Sequence, residues 1–130
     1  MGDWADDTLS NDPARDFLID VLESRDGWDL IDRTLRRALS ANDDEIDRQS
    51  IAGAELVAAA RGFPSAQLSP EDRAFADSVP QDKLAELSAL ALRAMKHVRS
   101  DSSLRLLVLE SDCHGWFTSM DDLLKSEGLA

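Results

Sequence analysis

One cysteine, two histidines, no tyrosine and a shortage of positive charge set the limits of this chain before any motif is sought. A single thiol, Cys113, cannot form an internal disulfide and fits a reducing compartment. His97 and His114 are the only imidazoles, and neither C-x-x-C nor H-x-x-x-H spacing occurs, so a zinc site has no ligand set to draw on. The Asp-Asp pairs at 6–7, 43–44 and 121–122 lack the alternating Asp/Asn and glycine of a calcium loop. The Glu-x-x-His spacing of a carboxylate di-metal site is missing as well. No glycine-rich phosphate loop, nucleophile elbow or dinucleotide fingerprint is present. The longest apolar stretch, Ile51 to Ala60, is interrupted by Glu55 and falls well short of the ~20 residues of a membrane span. The N-terminus, MGDWADD, is acidic where a secretory signal would be basic and then apolar. The expectation is a cytoplasmic protein with no membrane segment, no metal and no cofactor.

Bases are scarce and unevenly placed. The chain has 26 acids against 14 bases, a net charge of −12. Residues 1–32 hold ten acids (Asp3, Asp6, Asp7, Asp12, Asp16, Asp20, Glu23, Asp26, Asp29 and Asp32) against Arg15 and Arg25, which leaves −8 in about a quarter of the chain. Such a field repels nucleic acid and anionic lipid and speeds encounter with a basic protein. An acidic surface also serves solubility alone.

What is present is helix. At 43% hydrophobic and 31% charged, 130 residues make one folded domain. Asn11-Asp12-Pro13 is a helix start, followed by Ala14, Phe17, Leu18, Val21 and Leu22 at helical spacing up to about Ser24. Trp28, Ile31, Leu35, Ala38 and Leu39 make the next stripe, with Arg33, Arg36 and Arg37 on its outer side. An alanine-rich helix should run from Asp43 or Glu45 to Arg61, with Gly62 as the residue beyond its cap and Pro64 preventing continuation. Ser69-Pro70-Glu71-Asp72 reads as N-cap, Pro at the first helical position and acids in the first turn. Gln81 to Arg99 is a long amphipathic helix through Leu84, Leu87, Leu90, Ala91, Ala94, Met95 and Val98. A short helix capped within Ser100 to Ser103 and a terminal helix through Trp116, Phe117, Met120, Leu123 and Leu124 complete the reading. No strand pair with turn chemistry competes. The fold class is therefore all-α, a single domain over residues 1–130. It has six to seven helices, and residues 1–12 form an ordered non-helical segment packed on them.

Two features bear on chemistry. Cys113 and His114 are adjacent, but a thiol–imidazole pair needs hydrogen-bond reach, which adjacency does not supply. Glu55 is the lone acid in Ile51 to Ala60. A carboxylate there must find donors or a cation, either within a structural network or as a perturbed acid in a cleft. Trp4 in the acidic N-terminal stretch is one source of such a donor.

Gly2, Trp4, Asn11, Asp12, Ala14, Asp16 and Phe17 resemble the G-x-W-G-x-G-x-F-x-N-D-x-A-x-D/W pattern that opens the bacterial domain-of-unknown-function family 4259. The resemblance continues through Ala54 to Ala59, Gly62, Ser103 to Leu107 and Trp116 to Leu123. The chain departs from that pattern at Ala5, Asp7 and Leu9, where the family has two glycines and an aromatic. The resemblance implies a small helical fold, with Trp4, Asn11, Asp12, Ala14, Asp16, Glu55 and Trp116 as its structural motif, and brings no activity. By analogy, small acidic proteins of this type serve as immunity or antitoxin partners. The leading expectation is a non-catalytic module whose Asp3, Asp6, Asp7, Asp20 and Asp29 dock a basic protein, with Trp28 as an anchor. The rivals are a small hydrolase or metal-dependent enzyme joining Glu55 to Asp12, Asp16 or His114, and an oligomerisation module with an exposed apolar stripe.

Overall fold

The computed structural model describes residues 12–41, 43–64 and 68–101, together with Asp121, Leu123 and Lys125. Among these residues there is no strand, and five helices are complete: α1 (Asp12–Glu23), α2 (Gly27–Ser40), α3 (Asp44–Ala60), α4 (Pro70–Ala76) and α5 (Gln81–Asp101). The all-α class holds, with five complete helices among the described residues against six to seven expected of the whole chain. One expected boundary moves: α5 runs past Arg99 to Asp101, because neither Gly nor Pro interrupts the chain there. Asp121, Leu123 and Lys125 are helical, inside the stretch expected to form the terminal helix. The N-terminal segment with Asp3, Trp4, Asp6, Asp7 and Asn11, the short helix after Ser103, and Cys113, His114 and Trp116 lie outside the described residues.

Local chemistry explains where the helices begin and end. The Asp26 side chain accepts the Asp29 N–H and opens α2, and Asp43 accepts the N–H groups of Glu45 (2.8 Å) and Ile46 (3.2 Å) to open α3. At the start of α4 the Ser69 hydroxyl accepts the Asp72 N–H while the Ser69 N–H donates to the Asp72 carboxylate, a reciprocal capping box. The end of α3 is a Schellman closure: Gly62 sits at φ 98°, its N–H donates to the Ala59 carbonyl, and the Phe63 N–H reaches back to Ala58. Glycine is needed at 62 because a side chain is strained in that left-handed conformation.

α3 is the central element. It packs against α1, α2, α4 and α5, whereas α1 and α5 make no close backbone contact with each other. Its small residues allow this. Gly53 lets Ile31 of α2 and Phe17 of α1 come close, so that a Cβ there would stand 3.3 Å from the Ile31 Cγ2. Ile31, Leu35, Ile51, Leu56 and Met95 are the bulkiest fully buried side chains, each contributing about 1.5–3 kcal/mol through burial. Leu123 joins the same core, and the neighbouring Asp121 meets the Arg99 Nε at 2.8 Å.

A second packing point fixes α2 against α1 and α4. The Trp28 indole stacks on Phe75 with ring centroids 4.6 Å apart and planes 17° from parallel. Its Nε1–H donates to the Ser78 hydroxyl, which in turn donates to the Phe75 carbonyl. Gly27 makes room for this arrangement: a Cβ at that position would fall 2.8 Å from both the Phe75 ring and the Val21 carbonyl.

Candidate functional site

The helical repeat divides α1 cleanly. Ala14, Phe17, Leu18 and Val21 point into the core. Asp12, Arg15, Asp16, Ile19, Asp20, Leu22 and Glu23 are exposed on the opposite side. Leu22 was expected on the buried stripe. At helical spacing it falls on the flank instead, one turn beyond Ile19, and stays 42% exposed while Ile19 is 53% exposed. Ile19 has Arg15 four and Asp16 three residues before it and Glu23 four after, so two carboxylates and one guanidinium are its immediate neighbours on the helix surface. The outward face of α1 is thus an apolar pair among acids. The sequence reading passed over Ile19, whose signal is an apolar residue out of register with the stripe.

The electrostatics of this face differ from those of the outward side of α2. None of Asp12, Asp16, Asp20 and Glu23 forms an ion pair with a described residue. Asp12 with Asp16 and Asp16 with Asp20 are like charges four apart, Asp20 with Glu23 three apart, and each such pair weakens a helix. The last turn carries Glu23 and no base, which is the wrong sign for the helix dipole there. Asp12 alone is well placed, in the first turn.

Other residues expected to bind are placed differently. Asp29 is exposed but neutralised by Arg33 at 3.0 Å. Trp28 is the correction. At 5% exposure it is an internal strut, because the Phe75 stack and the Ser78 hydrogen bond consume both its face and its N–H, so it is not available as a surface anchor. Of the motif positions, Ala14 is buried in the core and Asp12 and Asp16 face outward.

Glu55 is 8% exposed and engaged in an interaction. It belongs to a set of polar side chains buried along α3 that also includes Asp47, Arg48 and Ser50. Asp47 and Arg48 are engaged too, and the Ser50 hydroxyl donates to the Asp47 carbonyl at 2.7 Å. Arg48 and Glu55 are two turns apart and share a side of the helix. The sequence reading missed Asp47 and Arg48, which look like ordinary charges in the first turns of an exposed helix. Only the wrapping of α3 by its neighbours buries them. An enzyme built on Glu55 with Asp12 or Asp16 is not assembled here, since Glu55 is interior to α3 while the two aspartates face outward on α1. Among the described residues no group of three or more His, Cys, Asp or Glu side chains comes together to hold a metal ion, and no helix is long and apolar enough to cross a membrane.

One family model, described as a domain of unknown function (DUF4259), matches residues 2–118. No curated protein and no solved structure matches. The chain belongs to the DUF4259 family.

Proposed function

We propose that this protein is a non-catalytic, cytoplasmic binding module that docks a basic protein, as an immunity- or antitoxin-type partner would. The observation that supports this most directly is the outward face of α1, where Asp16, Asp20 and Glu23 are exposed and form no ion pair with a described residue. Uncompensated like charges on a folded surface destabilise the free protein and are relieved by a complementary surface. In sequence, Asp3, Asp6 and Asp7 precede this face and extend its sign. Electrostatic steering would set the association rate and make it fall with salt. The same charge disfavours nucleic acid and anionic membrane.

The test is binding to a basic protein, first the product of a neighbouring gene, at low and high salt. The wild type is compared with a variant in which Asp16, Asp20 and Glu23 are changed to lysine. Loss of binding both in the variant and in high salt is the expected result. Binding that survives both would sink the proposal.

A further inference from the structure

We infer that the docking site is the Ile19–Leu22 face of α1, and that its occupant is a protein surface presenting one or two apolar side chains ringed by lysine and arginine. This rests on the reading of the protein as a binder of basic partners, and adds an anchor and a place to it.

The apolar pair comes first. Ile19 and Leu22 are two of the three exposed large hydrophobics among the described residues, and they sit one turn apart on the same helix. Scattered single apolar residues on a surface carry no meaning, but an adjacent pair rimmed by charge has the anatomy of an interface centre. The rim identifies the occupant. Ile19 lies between Asp16 and Glu23, with Asp12 and Asp20 further round the same face and Arg15 the lone base. An incoming cation relieves the repulsions between Asp12 and Asp16, Asp16 and Asp20, and Asp20 and Glu23, and it supplies the positive charge that the last turn of α1 lacks.

Other occupants fit poorly. A second copy presenting the same face would set acids against acids. The arginine-rich outer side of α2 is a weak substitute, because Arg33 and Arg36 are already committed to Asp29 and Asp32, which leaves Arg37 alone to meet four acids. Phosphate-bearing surfaces share the sign of the rim. The α1 helix has 12 residues and is about 18 Å long, so the contact lies at the small end of specific interfaces and depends on steering as well as burial.

The experiment uses the full chain and two synthetic peptides of equal positive charge. One is an amphipathic lysine–leucine helix, and the other has its leucines replaced by serine. The expected result is that the leucine peptide binds at least about tenfold more tightly than the serine peptide. Ile19→Ser with Leu22→Ser should abolish that preference, and amide shifts on binding should centre on α1. A control reversal on α4, Glu71→Lys, should leave binding unchanged, and circular dichroism checks that each variant is folded. Equal binding of both peptides, lost only when Asp16, Asp20 and Glu23 are reversed, would overturn the apolar anchor while leaving the acidic-surface reading standing. Binding indifferent to all α1 changes would remove both. Dimerisation in light scattering that the Ile19→Ser, Leu22→Ser variant abolishes would overturn the inference in favour of a second copy.

Discussion

The outward faces of α1 and α2 are consecutive in the chain, joined through three residues, and treat charge in opposite ways. On α2 each exposed acid has a base four residues later: Asp29 meets Arg33 at 3.0 Å and Asp32 meets Arg36 at 2.6 Å. The hydrogen bond and charge of Asp32, with Glu86 also nearby, hold the Arg36 guanidinium above its ordinary value. Arg37 in the last turn suits the helix dipole. On α1 four acids stand with a single base, Arg15, the last turn carries a glutamate, and two aliphatic side chains are left in water. A face such as that of α2 is solved within itself and asks nothing of a partner. The face of α1 is electrostatically and hydrophobically incomplete: its four acids face one base, Arg15, whereas the two acids of α2 face Arg33, Arg36 and Arg37.

The comparison depends on α1 and α2 being held in one relation, and the largest expected effect tests that. Trp28→Ala should cost about 3–5 kcal/mol in urea denaturation, as loss of a buried aromatic does. A loss under about 1 kcal/mol would mean that the Phe75 stack does not seat α2. Gly27→Ala comes next, at about 1–3 kcal/mol, since the added methyl meets the Val21 carbonyl and the Phe75 ring at 2.8 Å and something must shift. Unchanged stability would show that the junction yields freely.

The two smaller effects have opposite signs and sharpen the contrast. Glu23→Arg should stabilise the free protein by about 0.3–1 kcal/mol, through the helix dipole, while weakening binding of a basic partner. Asp29→Asn should destabilise by about 0.2–0.5 kcal/mol and leave partner binding almost unaffected. Thermal denaturation and titration with the same basic partner measure both. If Glu23→Arg destabilised, or if the two variants weakened binding equally, the distinction between the faces would fail.

The helices themselves were legible from local signals. Asp43, Ser69-Pro70 and Gly62 mark boundaries through hydrogen bonds that span three to five residues, and such bonds form wherever the chain goes. The candidate site was only partly legible. The acids of α1 could be counted, and Ile19 stood out of register, but whether Ile19 and Leu22 would be covered by another element could not be read from the chain. Trp28 shows the reverse error: an aromatic beside acids looks like an anchor until Phe75, 47 positions along, closes over it.

By itself, then, the amino-acid order determined the all-α class, the capped helix starts and most of each inward stripe, because these depend on interactions within a turn or two, while the end of α5 and the place of Leu22 departed from it. Tertiary structure decided which charges are neutralised, which are buried and which apolar residues remain exposed. Asp47 and Arg48 became interior because α3 is wrapped by four other helices. The Ile19–Leu22 face stayed open because the packing of α1 onto α2, α3 and α4 engages only its other side. Burial is a property of neighbours distant in sequence, and no local pattern carries it.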